Sequence, residues 1–300
     1  MDLHRLEVFC RVVELKSFTK AAEAAFLSQP TVSEHLRSLE ETLGVRLVDR
    51  LGREVLPTPA GKLLYDHARR LLRLHDEAVA AIENYSGRQS GHLWMAASTI
   101  PGTYLLPKMI GQFKKEYPEV LVTIKIANSR QAAELVIRGD CEFGVVGARW
   151  REAVLEWEPL LADELTLVVR HDHPWSRRGE IEPAELAEVP FIDRERESGT
   201  RKVMHEILHR HGTEANKLRI IAEMGSTEAV LQSVKAGIGV AIISRQAIRD
   251  DLACGAVAEV TIKGINFRRP FYLVQRKKRH PSPIGTLFLD FLKDTANRNS

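Results

Sequence analysis

The chain has 300 residues, of which 44% are hydrophobic and 28% are charged, and its formal net charge is +3. These values are ordinary for a soluble globular protein, and the length suits a small domain joined to a larger one. The apolar stretches are far shorter than the roughly 20 residues of a membrane span, which excludes a membrane-spanning protein. Residues 1–11 carry charges throughout, so we expect a cytoplasmic protein without a secretory signal.

Neither the cysteines nor the overall charge identifies a partner. The three cysteines are scattered without the spacing of metal ligands, so buried reduced thiols are expected at Cys10, Cys141 and Cys254. Residues 1–60 hold eight lysines and arginines against nine aspartates and glutamates. The basic excess lies near the end of the chain, around Arg268 and Arg269. Charge alone therefore does not indicate nucleic-acid binding.

An amphipathic helix at the start of the chain is followed by two short helices with a tight turn between them, over residues 17–44. Ser17 can cap the first of the two, and Ser28 can cap the second with Pro30 in its first turn. Gly44 would end the second helix in a left-handed conformation. This second helix has one apolar edge and one polar edge. It can therefore pack on a protein and also read the major groove of DNA.

The polar edge supplies candidate DNA contacts. A glutamine can pair bidentately with adenine and an arginine with guanine, and the side chains placed to reach base edges are Gln29, Thr31, Ser33 and Arg37. His35 is a further candidate, with a solvated surface residue as an equally good alternative. Lys20, Arg50 and Arg53 are expected to meet phosphates or the minor groove. Each of these residues could instead be ordinary solvated surface.

Two β-prone segments, 45–50 and 53–56, flank Gly52 and predict a two-stranded wing beside the reading helix. Thr58 and Pro59 then have the pattern of a helix start.

A long helix is predicted from Pro59 to about Tyr85. An apolar seam at heptad spacing runs along it, through Leu64, Ala68, Leu71, His75, Ala78, Ile82 and Tyr85. Such a seam favours a coiled-coil partner, most simply a second copy of the chain. The alternative is a helix that lies on its own domain. A flexible break over 86–91 follows.

From residue 92 onward, short apolar strands are mostly separated by helical patterns. The predicted strands are 92–97, 120–127, 143–146, 165–170, 218–222, 240–243 and 271–275. This order predicts an α/β domain with largely parallel sheets.

In open α/β sheets, ligands bind beyond the carboxyl ends of strands, where helix amino termini present free N–H groups. Four polar loops are expected to converge there. They contain Ser98, Thr99 and Ile100; Asn128 and Ser129; Ser198, Gly199, Thr200 and Arg201; and Gly225 and Ser226. The hydroxyl groups indicate a small polar ligand, which would be anionic if Arg201 points inward. The alternative is that each serine or threonine merely caps its own helix.

Several motifs together resemble the LysR-type bacterial transcriptional regulators. They are SFTKAA at 17–22, SQPTVS at 28–33, LE at 39–40, LGVRL at 43–47, TPAG at 58–61, LLP at 105–107 with Phe113 and YP at 117–118, and GIGVA at 237–241. The resemblance covers essentially the whole chain. Val48 and Pro57 depart from the residues common in the family, and both lie in the wing.

The resemblance implies a winged helix-turn-helix domain and a two-lobed, periplasmic-binding-protein-like α/β effector domain. The expected limits are 1–58 for the first, 59–90 for a linker dimerisation helix and hinge, and 91–300 for the second. Lobe one is expected at about 92–162 and 268–300, and lobe two at about 163–267. The expected partners are double-stranded DNA with a two-fold symmetric site, a small-molecule effector, and further copies of the chain in a homodimer or homotetramer. No cofactor is implied. The element at 198–201 is similar to that of sulfur-assimilation regulators, which suggests a sulfur- or selenium-associated sub-type.

Two other classes of protein fit the sequence less well. His205-Glu-Ile-Leu-His209 matches the H-E-x-x-H spacing of zinc proteases, but both histidines would face solvent, opposite the apolar side of their helix. No spacing clearly supplies a third ligand, so neither a metal site nor an enzyme is expected. A solute-binding protein would share the sheet architecture of 92–300. It would, however, need a secretory signal and lack the reading helix.

Overall fold

The computed structural model describes residues 2–51, 54–85, 90–213 and 215–298, with a few of these described by backbone alone. The chain forms two compact units, Met1–His92 and Leu93–Ser300. In the part of the chain that is described, no helix combines the length and apolar character needed to cross a membrane.

The first unit is a winged helix-turn-helix. Its elements are α1 (Leu3–Leu15), α2 (Phe18–Ala25), α3 (Gln29–Leu43), β1 (Val48–Leu51), β2 (Glu54–Pro57) and α4 (Pro59–Tyr85). The predicted caps are confirmed, because the hydroxyl groups of Ser17 and Ser28 accept hydrogen bonds from the Lys20 and Thr31 amides, both at 3.3 Å. Gly44 ends α3 at a φ of 68°.

The wing begins three residues later than predicted. Residues 45–47 are not part of β1, and the Leu47 carbonyl instead accepts a hydrogen bond from the Thr58 amide at 3.0 Å. β1 and β2 pair antiparallel from Val48 opposite Pro57 to Leu51 opposite Glu54. Gly52 lies outside the described residues.

The first turns of α4 pack on their own unit. Thr58 caps the helix, its hydroxyl group accepting from the Gly61 amide at 3.0 Å. Ala68 is fully buried in the core of the unit, and Leu64 packs against that core. Tyr65 donates a hydrogen bond to Glu14 of α1 at 2.8 Å. The prediction that Leu64 and Ala68 belong to a coiled-coil seam was therefore wrong, because both residues pack on the core of their own unit. Apolar side chains farther along α4 are exposed, including Leu71, Leu74, Val79 and Ile82.

The second unit is an α/β domain. Its strands are β3 (Gly91–Ser98), β4 (Val120–Ala127), β5 (Phe143–Val146), β6 (Leu155–Arg170), β7 (Glu180–Ile181), β8 (Pro190–Arg194), β9 (Arg219–Met224), β10 (Ala241–Ser244), β11 (Val257–Ile262) and β12 (Arg268–Arg276). Its helices are α5 (Leu106–Glu116), α6 (Ser129–Arg138), α7 (Pro174–Arg178), α8 (Gly199–Arg210), α9 (Thr227–Lys235), α10 (Arg249–Ala253) and α11 (Pro283–Arg298). A π-helical turn, Pro101–Leu105, precedes α5.

The long strand β6 belongs to two lobes. The order β4-β3-β5-β12-β6-β11-β7 forms one sheet, and β10 also pairs with β6. Residues 155–164 of β6 pair with β12, whereas 165–170 pair with β10 and β11, all antiparallel. The pairs β3–β5, β8–β9 and β7–β11 are parallel. The prediction of largely parallel sheets was therefore wrong, because the strands that pass between lobes run against their neighbours.

Each lobe has its own apolar core. The core of lobe one includes Leu93, Phe113, Phe143, Phe271 and Phe288, all fully buried. That of lobe two includes Trp175, Phe191, Met204, Leu208 and Phe267. Cys10 and Cys141 are buried as expected, and burial raises the pKa of the Cys10 thiol to about 12. Cys254 is exposed, contrary to expectation.

Candidate functional site

The solvent face of α3 carries three of the predicted DNA contacts one turn apart. Gln29 donates a hydrogen bond to the hydroxyl group of Ser33 at 2.9 Å. Arg37 donates to Glu41 at 2.8 Å, with 76% and 63% of the two side chains exposed. A pair this exposed contributes little stability, so Arg37 is available to another partner.

His35 does not share this face. Its ring lies 5.2 Å from the His4 ring of α1, nearly perpendicular to it. The Nδ1 atom is buried and has no hydrogen-bond partner among the described residues. The interpretation of His35 as a DNA contact is therefore corrected, because the residue is turned toward α1. Thr31 lies one helical turn before His35 on α3. Its hydroxyl group is 2.7 Å from that of Ser28.

The wing and α3 enclose a groove of about 700 Å³ whose lining includes Ser33, Arg37, Arg46 and Asp49. Glu40 orients the wing, since its carboxylate accepts from the Leu47 amide at 2.7 Å. Neither Arg46 nor this role of Glu40 was predicted.

The predicted phosphate contacts of this unit are only partly described. Lys20 is exposed on α2. The Arg50 side chain and the whole of Arg53 lie outside the described residues.

A small cavity lies between the two lobes of the second unit and gathers most of the predicted effector residues. It is lined by Ser98, Thr99, Ile100, Asn128, Ser129, Arg194, Ser198, Gly199, Thr200 and Arg269. Its volume is about 10 Å³, room for roughly one water molecule. The polar loops therefore converge as expected, but the lobes are closed against one another.

The closure is tight at Gly199, the first residue of α8. A Cβ atom there would lie 2.4 Å from the Ser129 hydroxyl oxygen and 3.1 Å from Ala148, both on lobe one. A side chain at this position would require Ser129 and Ala148 to move, so glycine allows the α8 amino terminus to approach lobe one closely. Asn128 adds a polar contact between the lobes, donating to Glu197 at 3.4 Å.

Helix capping does not account for all of these polar groups. Asn128 does cap α6, accepting from the Gln131 amide at 2.9 Å. Ser98 accepts from the Gly147 amide at 3.0 Å. Ser198, although at the cap position of α8, makes no side-chain capping bond and is 2% exposed. Its hydroxyl group is therefore not used to satisfy α8.

Two buried guanidinium groups lie at this cavity, each paired with a carboxylate, and neither was predicted from the sequence. Arg269 donates through Nε to Asp163 at 2.8 Å and through Nη1 to the Gly147 carbonyl at 3.4 Å. Burial lowers the pKa of Arg269, and the Asp163 carboxylate opposes that shift. Arg194 pairs with the Glu195 carboxylate at 2.8 and 2.9 Å.

Arg201, Gly225 and Ser226 were predicted to line this cavity, and the structure corrects all three. Arg201 turns away, donating to Asp193 at 3.1 Å and to the Arg194 carbonyl at 2.6 Å. Its charge is therefore already neutralised. Ser226 caps α9, accepting from the Ala229 amide at 3.1 Å, and neither it nor Gly225 lines the cavity.

The H-E-x-x-H motif lies on α8, as expected. His205, however, does not face solvent freely, because its Nε2 atom is 2.9 Å from the Asp193 carboxylate. Among the described residues, no group of three or more histidine, cysteine, aspartate or glutamate side chains could hold a metal ion.

Each of the two units matches a known protein family. Residues 3–62 match the family model of the bacterial regulatory helix-turn-helix protein, lysR family, and residues 86–297 match that of the LysR substrate binding domain. A probable RuBisCO transcriptional regulator of Cyanidioschyzon merolae is 35% identical over 95% of both chains. One from Guillardia theta is 32% identical over 95% of this chain and 93% of the relative.

Solved structures of other regulators have a fold similar to that of this chain. The regulatory domain of CcmR from Synechocystis PCC6803, in complex with 2-PG, is 27% identical, with a TM-score of 0.63 over 68% of this chain and 97% of that domain. Full-length CbnR complexed with its target DNA is 24% identical, with a TM-score of 0.72 over 98% and 100% of the two chains. The relatives' names concern RuBisCO control, so the sulfur or selenium sub-type is not confirmed. The chain belongs to the LysR family of DNA-binding transcriptional regulators.

Proposed function

We propose that this regulator responds to a small phosphorylated acid that binds between the lobes. One observation carries the proposal: the buried guanidinium groups of Arg194 and Arg269 lie at a cavity that α6 and α8 also face with their amino termini. Guanidinium groups and free N–H groups together supply the hydrogen-bond donors that favour a multiply charged oxyanion. The 2-PG complex of CcmR supports this chemistry. The names of the relatives support control of RuBisCO genes.

The ligand must part the lobes in order to bind. A cavity of about 10 Å³ holds nothing larger than water, and Gly199 leaves no space beside Ser129. The closed arrangement is therefore one state, and the liganded arrangement is a second state with a wider cleft. A ligand that prefers the second state shifts the population toward it and changes how the DNA-binding units are presented.

DNA recognition would use Gln29, Ser33 and Arg37 on the open face of α3, with Lys20 and the wing on phosphates. Self-association would use the exposed apolar part of α4, from Leu71 to Ile82, with a second copy as partner. Two reading helices held at a fixed distance can read a two-fold symmetric site. The DNA partner implies a cytoplasmic location.

The domain limits given above remain part of this proposal, at 1–58, 59–90 and 91–300. The separate cores and the two halves of β6 support a division into lobes near residues 162 and 268. A regulatory role is supported by the match of both units to the LysR family models.

The effector proposal is tested with 2-phosphoglycolate as the probe and the full chain as the protein. The temperature of thermal unfolding should rise with ligand concentration, because a ligand that binds only the folded state stabilises it by mass action. Thr200→Val keeps the side-chain shape but removes a hydroxyl group from the cavity, and it should reduce the shift. Thr261→Val, at an exposed position of β11, is the matched control and should keep the shift in full. The proposal fails if the wild type shows no shift, or if Thr200→Val and the control behave alike.

A further inference from the structure

A second, larger cavity on the same unit carries a concentration of positive charge. We call it the arginine groove; its volume is about 910 Å³, and its charged lining residues are Arg130, Arg149, Arg151, Glu152, Lys202, Glu206, Arg210, Arg268 and Arg269. Seven of these are cationic and two are acidic. The excess in this one groove is larger than the formal charge of +3 on the whole chain. Such a focus of one sign attracts anions.

Much of this charge is not neutralised by the protein. Arg149, Arg151 and Arg268 are exposed and make no ion pair among the described residues. Lys202, in contrast, pairs with Glu206, and Arg130 lies 3.5 Å from Glu134. Three free guanidinium groups in one concave surface repel one another and gain by sharing a multiply charged anion, to which each can donate two hydrogen bonds.

The groove also contains aromatic surface. Trp150, Trp157 and Tyr272 line it. The Arg149 guanidinium lies 5.8 Å from the centre of the Tyr272 ring, and Trp157 meets the same ring edge-on at 6.4 Å. The Lys202 ammonium is 6.0 Å from the Trp150 ring. Trp150 is half-buried and lies between two free arginines in sequence, so a planar ring on its face would be held beside them.

We propose that the arginine groove is a second ligand site and binds an organic polyphosphate that carries a planar ring, that is, a nucleoside polyphosphate. The three free arginines would hold the phosphates, and Trp150 would stack on the ring. A volume of about 910 Å³ is in the range of sites for ligands of this size. The groove is distinct from the effector cavity and shares only Arg269 with it.

Isothermal titration of the full chain with ATP, and separately with inorganic tripolyphosphate, tests the site. Both should bind, and Arg151→Ala and Arg268→Ala should each weaken binding about tenfold, the loss expected for one charge-assisted contact. Arg177→Ala removes the same charge from an exposed position of α7 outside the groove and should change affinity less than twofold. Thermal unfolding of each variant establishes that it is folded.

Two further measurements separate the sources of binding. ATP should bind more tightly than tripolyphosphate, and Trp150→Leu should remove that advantage while leaving tripolyphosphate binding in place. ATP should also still bind when 2-phosphoglycolate is saturating. The proposal is overturned if neither polyphosphate binds, if Arg177→Ala weakens binding as much as the groove variants, or if 2-phosphoglycolate excludes ATP. Equal affinities for the two probes would overturn the role of the planar ring.

Discussion

Replacing Asp163 with asparagine is expected to destabilise the second unit strongly. The carboxylate is 3% exposed, lies 2.8 Å from Nε of Arg269, and accepts from the Ser244 hydroxyl group at 2.7 Å. Asparagine has the same shape but no charge. The change therefore leaves the Arg269 guanidinium buried without a counter-ion.

The expected loss is about 3–5 kcal/mol, the cost of removing one partner from a buried ion pair. For a unit of this size the unfolding temperature should fall by about 10 °C. Glu164→Gln is the matched control on the next residue of β6. It makes the same carboxylate-to-amide change, but Glu164 is 43% exposed and lies 3.5 Å from an Arg245 that is 56% exposed. Solvent screens such a pair, so the control should lose well under 1 kcal/mol.

Urea unfolding followed by near-ultraviolet circular dichroism measures both losses. A double variant, Asp163→Asn with Arg269→Met, completes the cycle and should recover part of the stability, because no unpaired charge remains. Equal small losses for Asp163→Asn and Glu164→Gln would refute the reasoning. So would a double variant whose loss of stability exceeds the sum of the losses caused by Asp163→Asn and Arg269→Met alone.

Two further predictions concern the DNA-binding unit and helical glycines. Gly61→Ala should destabilise the first unit by several kcal/mol, because a Cβ atom there would lie 1.9 Å from the Leu47 carbonyl oxygen. Gly111→Ala in α5 should instead stabilise the second unit by about 0.5–1 kcal/mol, because nothing lies within 4 Å of the added Cβ atom. Urea unfolding measures both changes. Arg37→Ala should weaken binding to a selected operator by about tenfold or more in fluorescence anisotropy, and Glu41→Ala, which frees Arg37, should not; similar losses for the two would remove Arg37 from the interface.

Local signals in the sequence were enough to predict the helix-turn-helix. Serine caps and the glycine after α3 act within a few residues, so the limits of α3 and α4 could be read directly. The strands β4 and β5 were predicted with their observed limits, because runs of apolar and β-branched residues end there, before Asn128 and before Gly147. Two of the hydroxyl-bearing loops of the effector cavity, at Ser98 and Ser129, follow from the ends of β3 and β4 in the same way.

Features that depend on distant partners could not be predicted in this way. The first half of β6 mixes charged and apolar residues, and only its pairing with β12, more than a hundred residues later, makes it a strand. Arg269 sits in a basic run that resembles surface, and its burial depends on Asp163. Arg201 was assigned to the cavity from its helix position, but the carboxylates of Asp193 and Glu223 draw it away.

The most direct test is the affinity of the full chain for its operator with and without 2-phosphoglycolate. The operator fragment is first selected from random DNA with the protein itself, and fluorescence anisotropy then gives both affinities at one fixed salt concentration. Coupling between the cleft and the reading helices predicts at least a fivefold change in wild-type affinity at saturating ligand, and a smaller change in Thr200→Val. An operator affinity that stays the same while the ligand demonstrably occupies the protein would contradict the account.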